Sequence, residues 1–138
     1  MKKALALLVV AALPLAGCSM LPGGGDHFEE TFTDYASAES GWSNGTIPAW
    51  IPDEFSRVRS RAMNDGSAGI VEVLTDSAIV GDGCATAARA GSPDLGGVWE
   101  PADFPDEVMD CGDYQIIPVE GGWFGWYERA STQSASSE

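Results

Sequence analysis

Two stretches of the chain alternate apolar and polar residues around a turn signal, and no other feature limits the fold as tightly. The first runs from Arg57 through Asn64-Asp65-Gly66 to Thr75, with Val58 and Ala62 set against Arg57, Arg59 and Arg61. A period of two sends successive side chains to opposite faces of a sheet. The spacing therefore predicts strands over Arg57–Met63 and Gly69–Thr75, joined as an antiparallel hairpin. Within the second strand, Ile70, Glu72 and Leu74 face one way and Val71, Val73 and Thr75 the other. The second stretch, "DYQIIPV" and "WFGWYER" about Glu120-Gly121-Gly122, predicts another hairpin over Asp113–Val119 and Trp123–Arg129. Pro118 has no N–H to give a ladder, which places an edge or a bulge there.

Around these hairpins the pattern is irregular. Pro48 and Pro52 bracket Trp50 and favour an extended segment over a helix. The Pro- and Gly-rich stretch between the hairpins reads as loops, with one short helix around Ala102–Met109. The fold class expected is α+β: a small antiparallel sheet of two β-hairpins, one or two short helices and one disulfide. The globular domain is expected over 46–129, followed by a polar tail over 130–138.

The N-terminus addresses the chain rather than folding it. Met1-Lys2-Lys3 is followed by an apolar run from Ala4 to Leu13, about half the roughly 20 residues a membrane-spanning helix needs. A charged start and a short apolar run describe a signal peptide over 1–17. The run closes on Leu15-Ala16-Gly17-Cys18, which resembles the lipobox of bacterial prolipoproteins. That resemblance implies cleavage before Cys18 and a diacylglyceryl thioether, with palmitate-type acyl chains, on its sulfur. Two chains anchor stably where one binds reversibly, at ~0.8 kcal/mol per buried methylene. The implied address is the cell membrane, lipid-anchored on the extracytoplasmic face.

Once Lys2 and Lys3 leave with the signal, five basic residues, all arginine, stand against 21 acids, a formal balance of −16. Such a balance argues against nucleic acid as a partner and against binding anionic lipid headgroups through a basic patch. The partners expected are the membrane, through Cys18, and an envelope protein or glycan.

From Cys18 to Gly45 the chain is rich in Gly, Ser and acids and reads as a tether, with a flexible-coil span of about 25–30 Å. Phe28, Phe32 and Tyr35 at i, i+4 and i+7 suggest a short amphipathic helix within 26–39, capped by Asp26. With Cys18 lipidated, Cys84 and Cys111 remain as an even pair in an oxidising compartment. A bridge between them would contribute ~3–4 kcal/mol in the chain-entropy model. Two free thiols or half of a metal site are the alternatives, and neither Cys has another Cys or a His nearby in the sequence.

Taken in order, "IPAWIPDEF", Cys84, "VWEPADFPD", Cys111 and "WFGWYE" resemble a group of actinobacterial exported proteins, many of which carry a lipobox. The resemblance covers most of residues 46–128. It supports the topology and the Cys84–Cys111 pairing, and brings no activity and no catalytic residue.

The search for chemistry leads away from an enzyme. The single histidine, His27, falls in the tether, and no serine lies in a Gly-x-Ser-x-Gly elbow. Carboxylate pairs such as Asp53 with Glu54 are what a chain this acidic makes by chance. Asp103, Asp106, Glu107, Asp110 and Asp113 form the densest set of oxygen donors, without the order of an EF-hand loop. No catalytic residue, no metal site and no cofactor is expected. In the last strand Trp123, Gly125 and Tyr127 share one face, and Phe124 and Trp126 the other. Either loops cover both faces, or Trp123, Trp126 and Tyr127 offer a surface on which a sugar ring stacks. The function expected is a non-enzymatic binding or interaction domain at the cell envelope. A glycan or small-ligand module using those aromatics is the alternative.

Overall fold

The computed structural model describes residues 26–43, 45–93, 95–96 and 99–129. The expected signal peptide over 1–17, Cys18, the tether as far as residue 25 and the tail over 130–138 lie outside the described residues. The elements in chain order are β1 (His27–Phe32), α1 (Tyr35–Gly41), β2 (Arg57–Met63), β3 (Ala68–Leu74), β4 (Ala85–Ala88), β5 (Glu107–Cys111), β6 (Tyr114–Val119) and β7 (Gly122–Glu128).

All seven strands join one sheet in the order β1-β2-β3-β7-β6-β5-β4, and every pairing is antiparallel. Two meanders, β1–β3 and β4–β7, meet along the β3–β7 ladder, which runs from Ala68↔Glu128 to Leu74↔Gly122. The two hairpins read from the alternation are present as β2–β3 and β6–β7. Their turns need a residue with positive φ, supplied by Gly66 at 74° and Gly121 at 80°. Pro118 pairs with Trp123 on β7, while the β5–β6 ladder ends at Met109↔Ile116. The side of β6 toward β5 is therefore open where proline cannot donate.

The sheet is more extensive than two hairpins, and three segments differ from expectation. The helix expected within 26–39 is a strand followed by a seven-residue helix. Phe28 and Phe32 are four apart, a spacing that also fits a strand, and Phe28↔Ala62 and Phe32↔Val58 pairing along β2 decides for the strand. The helix cap is Asp34, not Asp26; its carboxylate accepts from Ser37 N–H at 2.8 Å and Ser37 Oγ at 2.9 Å. The folded region thus takes in β1 and α1, upstream of position 46 where the domain was expected to begin. The short helix expected around Ala102–Met109 is instead an irregular segment running into β5, and Ala85–Ala88 adds an edge strand.

Each face of the sheet carries its own core. On one, Trp50, Ile51, Val58, Val71, Val73 and Ile116 pack together under the Pro48–Pro52 segment. The Trp50 ring lies over Gly125, whose absent Cβ would stand 2.6 Å from the indole Cζ2. On the other, Ile70, Val108, Ile117, Phe124 and Trp126 are covered by Trp99 and Phe104 of the long β4–β5 connection. Phe104 meets Trp126 edge-on with centroids 5.2 Å apart, and Trp99 meets Phe124 at 6.1 Å. Burying side chains of this size stabilises by ~1.5–3 kcal/mol each, which suits so small a domain.

Cys84 and Cys111 form a disulfide, with Cα atoms 4.1 Å apart. Ala85↔Asp110 is the first β4–β5 pair, so the bridge sits one position beyond the ladder and ties the edge strand to β5.

Candidate functional site

The second apolar core does not extend across the whole sheet. It covers β3, β7, β6 and β5, and gives way to charged residues over β2 and β1. The alternation of β2 accounts for this: Val58, Ser60 and Ala62 are buried on one face, so Arg57, Arg59 and Arg61 project from the other. Register then sets their neighbours. Glu72 of β3 lies directly across from Arg59, while Thr31 and Glu29 of β1 pair with Arg59 and Arg61.

Arg59 is held from several sides. Its Nε and Nη2 donate to the two carboxylate oxygens of Glu72 at 2.9 and 3.2 Å. Its guanidinium also stands 4.8 Å from the centroid of the Trp99 ring. Arg57 reaches the same carboxylate, Nη2 to Oε1 at 3.5 Å. Arg61 donates from Nη1 to Glu29 at 3.2 Å and from Nη2 to His27 Nε2 at 2.7 Å. The Nε–H groups of Arg57 and Arg61 are buried and have no hydrogen-bond partner among the described residues. His27, read from sequence as part of a tether, is thus a member of this cluster.

Together Glu29, Glu30, Thr31, Arg59, Arg61 and Trp99 line an open groove of about 540 Å³ at the β1 side of the sheet. On this surface three guanidiniums form ion pairs with the carboxylates of Glu72 and Glu29, in a chain whose formal charge is −14. The remaining arginines sit elsewhere: Arg89 donates to the carbonyls of Pro105 and Gly91, and Arg129 lies over Tyr127. The groove can hold charge and donate hydrogen bonds. The imidazole beside it accepts from Arg61, so it is engaged by a guanidinium rather than by a hydroxyl or thiol.

The aromatics of the last strand are placed differently. Trp126 is 2% exposed and Tyr127 6%, both within the protein interior. Trp123 is partly buried against the first core and donates from its indole N–H to the Ser77 carbonyl at 2.9 Å. Tyr127 packs edge-on against Tyr114, centroids 5.1 Å apart. Burial pushes the Tyr114 phenol well above its ordinary pKa, with Tyr127 adding to the effect. Connecting segments pack over both faces of β7, burying Trp126 and Tyr127 and part of Trp123.

Among the described residues no three His, Cys, Asp or Glu side chains form a group that could hold a metal ion, and the acids of 103–113 are spread over a loop, β5 and the turn after it. No helix among the described residues is long and apolar enough to cross a membrane. Compared with known proteins, the chain matches no family model, no curated protein and no solved structure.

The arginine groove was not singled out from sequence, although its signal was present. Three arginines alternating on one strand, in a chain with only four other Lys and Arg residues, already marked a charged strip. What they would meet depended on β1 and on the β4–β5 connection, which pair and pack over long sequence distances.

Proposed function

We propose that the chain is a lipid-anchored binding module on the extracytoplasmic face of the cell membrane, acting by recognition rather than turnover. The observation that carries this reading is the cysteine accounting. The Cys84–Cys111 bridge leaves Cys18 alone, at the end of an apolar run and within a lipobox-like Leu15-Ala16-Gly17-Cys18. A structural disulfide also fits an exported protein, since cytosolic thiols are kept reduced. A small sheet with both faces covered suits a domain that presents a fixed surface, and the polar groove over β1 and β2 is the surface this reading assigns to the ligand.

Membrane fractionation tests the anchor. The protein with Cys18 intact is expected in the membrane fraction, and Cys18→Ser in the soluble extracytoplasmic fraction. Membrane retention of Cys18→Ser equal to that of the parent refutes lipid anchoring at this residue.

A further inference from the structure

We infer that the groove over β1 and β2 binds a small molecule bearing an oxyanion, a carboxylate or a phosphate. Arg59 and Arg61 grip the oxyanion, and Glu29 is the resident counter-ion it displaces. Arg59 and Arg61 stand two positions apart on one strand face, their backbones about 7 Å apart, with Arg59 reaching toward Glu72 on β3 and Arg61 toward Glu29 and His27 on β1. An oxyanion seated between them can accept from both, in charge-assisted bonds that are the strongest of their kind.

The two glutamates differ in a way that separates support from ligand. Glu72 is only 12% exposed, binds Arg59 through both oxygens and also touches Arg57, so it holds the cations in place. Glu29 is 54% exposed and reaches Arg61 through one bond of 3.2 Å. An exposed single-bond pair is worth little, and an incoming oxyanion replaces it at small cost. Trp99 packs against the Arg59 guanidinium and walls the groove on the side of the apolar core. Fixed donors lose less conformational freedom on binding than mobile ones.

Charge balance favours the same ligand. With Glu29 turned out to solvent, Arg61 loses its carboxylate partner while Glu72 continues to hold Arg57 and Arg59. Acids elsewhere on the domain act weakly here, because the Debye length is about 8 Å at physiological ionic strength. The groove is open and runs from Glu29 and Arg61 to Arg59 and Trp99, which leaves room for an oxyanion carried on a larger body.

This inference deepens the reading of the chain as a binding module and rests on it. The test uses the full chain in micelles of an uncharged detergent, at constant ionic strength. The arginine Nε–H resonances are followed by NMR as inorganic phosphate, glucuronate or glucose is added. Saturable shifts at Arg59 and Arg61 are expected with at least one oxyanion and none with glucose. A response to phosphate alone or to glucuronate alone supports the site and names the oxyanion. Arg61→Gln is expected to weaken binding about tenfold or more. Glu29→Gln, an exposed change that leaves the fold intact, is expected to tighten it about two- to fivefold. Arg129→Gln, outside the groove, is expected to leave it unchanged.

The inference is overturned by the absence of any saturable shift. It is also overturned if Glu29→Gln weakens binding, or if Arg129→Gln weakens it as much as Arg61→Gln does. Failure here with Cys18-dependent membrane retention intact removes the oxyanion site alone. Oxyanion binding by a chain that does not need Cys18 for retention removes the anchor alone.

Discussion

The two ends of the sheet solve one problem in different ways. An outermost strand has partners on one side only and must be kept from peeling away or pairing elsewhere. At one end β1 is held by a six-pair ladder to β2, by Phe32 stacked on Trp42 with centroids 5.8 Å apart, and by the Arg61–Glu29 pair. At the other end β4 has four residues, most of them exposed, and no part in either core. A covalent bond takes the place of packing there. The difference teaches that the ionic end keeps polar groups at the surface that can exchange partners. The disulfide end is fixed instead by a covalent bond that does not exchange partners.

The largest effect should come from removing the staple. Cys84→Ser or Cys111→Ser is expected to destabilise the domain by ~2–5 kcal/mol, lowering Tm by roughly 10–30 °C for a fold of this size. Thermal melts with and without reductant check it, and superimposable melts would show that packing alone holds β4. The loss should not depend on salt, because no charge is involved.

Next comes the ionic end. Glu72→Gln removes the carboxylate that both Arg57 and Arg59 engage, at an expected cost of ~1.5–3 kcal/mol. Glu29→Gln should cost less than about 1 kcal/mol, because its pair with Arg61 is exposed. Denaturant unfolding at low and high salt separates the two. Equal losses for both variants would erase the distinction between a supporting glutamate and a displaceable one.

An effect that is nil near neutral pH and appears only in alkali is a pH response at the disulfide end, where Tyr114 pairs with Cys111. Its raised pKa means that the folded protein keeps the phenol proton at pH values where the unfolded chain has released it. Its contribution is complete below the unfolded value of 10.0 and is lost as pH rises above it. The slope is ~1.4 kcal/mol per pH unit until the folded phenol itself ionises. Tyr114→Phe should flatten this alkaline slope in urea unfolding, and an unchanged slope would assign it to another group.

Much of the sheet was legible in the chain because its signals are local. The alternation around Asn64–Gly66 and Glu120–Gly122 placed four strands within a residue or two of their observed bounds. A third hairpin was also written there and went unread: Gly112-Asp113 is a two-residue connection between β5 and β6, with Gly112 at φ 79°. The prolines at 101 and 105 before it mask the strand pattern, because they favour loops. β1 escaped for a different reason, since a spacing of four between Phe28 and Phe32 fits a strand as well as a helix. Only pairing with β2 across some thirty residues of chain chooses between them. The candidate site was less legible still. Its arginines were visible as a strip, but His27, Glu29, Thr31 and Trp99 reach it from elements distant in sequence.

By itself, the sequence determined the strand periodicity, the turns that need glycine, the even pair of cysteines and the resemblance of Leu15–Cys18 to a lipobox. Each is a local property of neighbouring residues or a count. Tertiary structure alone decided which faces of β2 and β7 meet water. The aromatics of β7 became core because two connections, 42–56 and 89–106, fold back over both sides of the sheet. The arginines of β2 remained at a groove because the second of those connections ends its cover at Trp99. A strand's alternation says that its two faces differ, and only the segments packed against them say which face is buried.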